Sequence, residues 1–192
     1  MRIFSRLYER VLSWSGHPKA EWYLGALSFA ESSFFPVPPD VLLAPMTLAK
    51  PAMGPRFALT TTMASVVGGV AGYLIGYFAL EAITPWLIDL GYMDNYNTVR
   101  GWFETWGFWA VLAAGFSPIP YKLFTIAAGA LAMFMPLFLL ASLVGRGARF
   151  FLVAGLVMWG GPKVEQRLRT HIDTIGWTVV ILVAAGVLLY YR

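Results

Sequence analysis

Apolar residues in this chain come in long runs, and what interrupts those runs predicts the architecture. A helix that crosses a bilayer needs about 20 consecutive apolar residues. The segment 57–80 meets this requirement without a single charge. Segment 136–159 is long enough but carries Arg146 and Arg149 near its centre, and 175–191 lies at the short limit. Two further apolar stretches are broken by proline. FFPVPPD interrupts 22–49 with Pro36, Pro38 and Pro39, and SPIPYK interrupts 106–135 with Pro118 and Pro120. Proline removes a backbone donor and clashes with the preceding turn, so clustered prolines end a helix. Broken backbone at membrane depth is tolerated only where protein or a water-filled cavity covers it. Both stretches therefore predict helical hairpins that enter and leave the membrane by the same face.

The resulting expectation is an all-α polytopic membrane protein, one domain over 1–192. An amphipathic N-terminal segment (Ile3, Phe4, Leu7, Val11 and Trp14 near one face) reads as an interfacial helix at 1–16. It is followed by re-entrant hairpin 20–50, span 57–80, external connection 81–105, re-entrant hairpin 106–133, span 136–159, cytoplasmic loop 160–173 and span 174–191. The basic residues Arg2, Arg6, Arg10, Lys19, Lys50 and Arg56 precede the first span, and Lys163, Arg167 and Arg169 follow the second. The 81–105 connection is acid-rich and aromatic. Positive residues favour the cytoplasmic side, which places the N-terminus there. The first hairpin then opens inward and the second outward, each followed by a span. That is the pattern of an inverted repeat whose broken helices meet near the midplane.

Composition agrees. The chain is 58% hydrophobic and 12% charged, against roughly a quarter charged in soluble domains. Its mean hydropathy of +0.65 excludes a disordered tail or a water-soluble enzyme. The net charge of +4 fits cytoplasmic loops and anionic headgroups better than nucleic acid. There is no cysteine, no HExxH and no nucleophile elbow, so no cofactor, metal or enzymatic reaction is expected.

Against this background five charges at membrane depth stand out: Glu31, Asp40, Lys122, Arg146 and Arg149. Each costs about 2.5–3.5 kcal/mol at a helix centre, and such residues mark a pathway or a partner. Glu31 and Asp40 flank the first proline cluster, where two acids facing a low-dielectric cavity suit proton uptake and release. Asp40 also suits an N-cap of the returning arm. Ser117 and Lys122 bracket the second proline pair, placing an ammonium at that tip for an anionic headgroup or for Glu31. Arg146 and Arg149 share one helical face and suit a phosphate held by planar forks. Their alternative use is salt bridging to Glu31 and Asp40. Gly68, Gly72 and Gly76 recur every fourth residue, a small-residue face for close helix packing.

These motifs resemble those of the DedA family, also called SNARE-associated or VTT-domain membrane proteins. Glu31-Ser-Ser-Phe-Phe-Pro-Val-Pro-Pro-Asp40 resembles the family's first signature and GVAGYLIG at 69–76 its glycine-rich span. Phe116-Ser-Pro-Ile-Pro-Tyr-Lys122, with Ala128-Gly129, resembles its second, and 145–150 falls where the family has a glycine-led motif. The short YqaA-like branch is the nearest in pattern. The resemblance implies opposed re-entrant hairpins, no catalytic reaction, transbilayer movement of phospholipid or undecaprenyl phosphate, and proton coupling through Glu31 and Asp40. Where the family has two arginines around the second proline, this chain has apolar residues near 114–115 and Lys122. Arg146 and Arg149 are left to compensate, or the substrate differs. The expected function is a proton-coupled flippase of a lipid-linked phosphate in the bacterial inner membrane. Its partners would be anionic lipids and protons, with a homo-oligomer left open. A small-solute transporter and a non-transporting assembly factor are the alternatives.

Overall fold

A computed structural model describes residues 19–34, 37–91, 93–117 and 120–161. The expected interfacial helix 1–16, the span 174–191, and Pro36 and Pro118 lie outside those residues. The described chain is helical, with no strand. Its elements are α1 (Ala20–Ser33), α2 (Asp40–Ala49), a short 3-10 turn (Pro51–Met53), α3 (Gly54–Asp89), α4 (Met93–Phe116) and α5 (Tyr121–Ala130). The last, α6, runs Met135–Gly161. Two helical segments, Pro51–Ala82 and Met135–Gly161, are long and apolar enough to cross a membrane.

The prolines end helices where the sequence predicts. α1 stops at Ser33, and Pro39 stands just before α2; α4 stops at Phe116, and Pro120 stands just before α5. The chain folds back at both breaks. Leu24 of α1 shares an apolar cluster with Leu43 and Met46 of α2. Beyond the second break, the Tyr96 hydroxyl of α4 donates to the Ala130 carbonyl at the far end of α5. Each hairpin is followed by a long helix, so one plan occurs twice.

The 81–105 stretch, expected as an external connection, is helical on both sides of a short turn. α3 continues to Asp89, carrying Pro85 within its last turns, and α4 begins at Met93. On α4, Phe103, Gly107, Val111 and Ala114 are buried at helical spacing, and on its exposed side Arg100 pairs with Glu104 one turn on.

α3 is the spine against which both hairpins pack. A Cβ at Gly68 would collide with the Phe29 backbone of α1, and one at Gly76 with the Ile126 carbonyl of α5. Gly72, midway along the helix, faces both Ser32 and Thr125. Small residues there let two broken helices touch the spine backbone to backbone and meet one another. Their ends are joined by a hydrogen bond from Thr125 Oγ1 to the Ser32 carbonyl, 3.3 Å.

The interior is layered. One apolar cluster holds Phe57, Ala58, Phe150 and Ala154 with the hairpin-1 arms; another holds Tyr73, Val111, Phe138 and Ala141 with hairpin 2. Between them lie Ser28, Ser32, Thr61, Thr62, Ser65, Ser142 and Arg146, all buried. Outside, Leu59, Met63, Val67, Leu140, Val144 and Leu156 are exposed. Polar within and greasy without is the reverse of a water-soluble bundle. Lipid is the solvent that fits it.

Candidate functional site

The polar layer is built where the two breaks meet the middle of α6. Gly115 and Gly145 let α4 and α6 approach closely: a Cβ at Gly145 would meet the Leu112 carbonyl at 2.5 Å. That contact carries Arg146 inward. Its side chain is only 2% exposed, with its guanidinium between the rings of Tyr121 at 4.8 Å and Phe150 at 4.7 Å. Nε donates to Ser65 Oγ at 2.6 Å, and Nη2 donates to Glu31 Oε2 and to Ser32 Oγ. Ser32 and Ser65 hydroxyls share a hydrogen bond of 2.6 Å, and the Tyr121 hydroxyl donates to Ser142 Oγ. A buried arginine is tolerable only when its charge is met and its N–H groups are used. Here a carboxylate, two serines and two π faces do so.

Arg149 lies one turn further on, and its surroundings differ. Nη2 donates to Asp40 Oδ2 and Nη1 to the Ser117 carbonyl, each at 2.6 Å. One guanidinium thus ties the start of α2, just past the first break, to the residue that opens the second. The pair remains partly open, with the Arg149 and Asp40 side chains 19% and 24% exposed. Asp40 Oδ1 is buried with no hydrogen-bond partner. Lys122 Nζ approaches the Phe34 carbonyl at 3.4 Å, a second tie between the breaks.

Several expectations change in detail. Asp40 is not an N-cap: Pro39 occupies that position, no side-chain cap forms, and the carboxylate is drawn to Arg149 instead. Lys122 meets a carbonyl of the first break rather than Glu31. The four charges that flank the breaks and line α6 are sorted into two ion pairs, Glu31–Arg146 and Asp40–Arg149, rather than lining one open cavity. Sequence reasoning missed Ser32, Ser65, Tyr121, Ser142 and Phe150. A signal was present for Ser65, since Thr61, Ser65, Gly68, Gly72 and Gly76 fall on one helical stripe. Nothing in the order of residues brings the rings of Phe150 and Tyr121 to one guanidinium. Among the described residues, no group of three or more His, Cys, Asp or Glu is placed to hold a metal.

The family model of the VTT domain matches residues 37–158, from the first break through most of α6. An uncharacterized protein of Haemophilus influenzae is 45% identical over 182 residues, 95% of each chain. Another, from Histophilus somni, is 46% identical over 183 residues, again 95% of each. No solved structure matches.

Proposed function

The chain belongs to the VTT-domain family of membrane proteins, and from that premise we propose that it carries a lipid-linked phosphate across the bacterial inner membrane, driven by protons. The two hairpins dip into the bilayer from opposite leaflets, with the N-terminus in the cytoplasm. The observation behind this reading is the Asp40–Arg149–Ser117 bridge, which holds both breaks through one half-open guanidinium.

The coupling is an exchange of partners. With Asp40 ionised, its charge holds Arg149 and the breaks stay tied. A proton on Asp40 removes the charge that Arg149 answers, and the fork is released to a phosphate, which it suits by planar bidentate geometry. The proton goes to Oδ1, the carboxylate oxygen that Arg149 does not hold. One proton and one phosphate charge then move together. Lys122, which meets the Phe34 carbonyl at the first break, supplies a second cation at the breaks. Arg146, enclosed by two rings and two serines, keeps Glu31 paired and serves as the fixed point of the site.

A non-transporting assembly factor would also have its charges paired internally, and the Glu31–Arg146 pair suits it equally. Asp40 and Arg149 are where the readings part. In proteoliposomes holding the full chain, an imposed pH gradient is expected to speed translocation of a fluorescent polyprenyl phosphate. A small inorganic anion is expected to leak no faster than in empty vesicles. Flux of the anion alone would favour the solute transporter, and flux of neither the assembly factor.

A further inference from the structure

On the outer flank of α1 and α3, away from the ion-paired layer, runs an open groove of about 830 Å³. Its walls are Trp22, Phe29, Leu59, Met63 and Val67, all exposed, above a floor of small residues that includes Ala26. One end is apolar. The other carries a charge pair: Arg56 Nε donates to Glu21 Oε1 at 3.0 Å, Nη2 lies 2.9 Å from Oε2, and Thr60 Oγ1 donates to Oε1 at 2.8 Å. The fork uses one edge of the guanidinium. The Arg56 side chain is still 66% exposed, and its remaining N–H groups meet no acceptor among the described residues.

We propose that this groove binds one phospholipid with a phosphoethanolamine headgroup. An ion pair has no net charge, so it does not select a simple anion. It matches a zwitterion, whose phosphate reaches the free edge of Arg56 while its primary ammonium donates to Glu21. Charge-assisted hydrogen bonds of this kind are the strong ones. Trp22, 81% exposed beside the pair, is a residue type enriched at the membrane–water interface. From Arg56 to Val67 the trough runs roughly 16 Å along α3, enough to lay most of one acyl chain against apolar walls. A quaternary ammonium has no N–H to give Glu21, and a glycerol headgroup has no cation. Selectivity therefore follows from the pair. The groove stands apart from Asp40 and Arg149, and the inference does not rest on the carrier reading.

The test is native mass spectrometry of the full chain in detergent with phosphatidylethanolamine, phosphatidylcholine or phosphatidylglycerol of equal chain length. One phosphatidylethanolamine should be retained about tenfold more than either competitor, the worth of one charged hydrogen bond. Ala26→Trp, which fills the trough from an exposed position, should abolish retention without lowering the melting temperature. Glu21→Gln should erase the preference among headgroups. Equal retention of all three lipids by the wild-type chain, or retention undiminished in Ala26→Trp, overturns the proposal.

Discussion

Replacing Arg146 by Ala is expected to lower stability by about 3–5 kcal/mol, the cost of stranding one member of a buried ion pair. The side chain is 2% exposed and lies at the junction of α1, α3, α5 and α6. Its removal leaves Glu31 charged and unanswered, Ser32 and Ser65 without their donor, and a void between Tyr121 and Phe150. Thermal unfolding in detergent should show the largest loss of any single substitution in the polar layer. Arg146→Lys should recover little, because a compact ammonium cannot meet two rings, Glu31 and Ser65 at once. The double variant Glu31→Gln with Arg146→Met should lose less than the two singles summed, since no charge is then left alone. A melting temperature for Arg146→Ala within a degree or two of wild type would mean that the pair does not hold the helices together.

The second large effect is on transport. Asp40→Asn should lower the melting temperature far less than Arg146→Ala, because the pair is partly open and an amide oxygen can still accept from Arg149. Asparagine cannot exchange a proton and no longer holds Arg149 by charge. Driven flux of polyprenyl phosphate should fall at least about tenfold, equivalent to about 1.4 kcal/mol, and the remainder should ignore the pH gradient. Arg149→Lys should also be slow yet keep its pH response, since the proton site is intact while the bidentate fork is lost. Equal gradient-driven flux in Asp40→Asn and wild type would remove Asp40 from the coupling. Glu31 is the poorer choice for this experiment. Its neutralisation strands buried Arg146, so a loss of flux would not separate chemistry from folding.

The breaks and the long apolar helices were legible in the sequence because proline and apolar run length act locally. Pro38, Pro39 and Pro120 bound helices through their own covalent geometry, whatever surrounds them. Glu31, Asp40, Arg146 and Arg149 were recognisable because a charge in so apolar a chain needs a reason. Which acid meets which base was not legible. The pairing depends on how α6 crosses α4 at Gly115 and Gly145, a tertiary fact with no local signature. The same holds for the rings around Arg146, contributed by Tyr121 beside a break and Phe150 one turn along α6. The helical course of 81–89 was not legible for a different reason: Pro85 stands within it, and with Ile88 exposed it has no clean division into an apolar and a polar face.

The proposed carrier requires both breaks at membrane depth, around one site that opens to either face in turn. The chain has no cysteine, so a single thiol placed at Phe34 or at Ser117 can be followed without background. Membrane-impermeant maleimide should reach each thiol from both faces of oriented vesicles, slowly, and more slowly still when polyprenyl phosphate is present. A control thiol at Leu90, in the α3–α4 turn, should react fast from one face and ignore the lipid. If the thiols at 34 and 117 behave like that control, the breaks are surface loops and the carrier is contradicted.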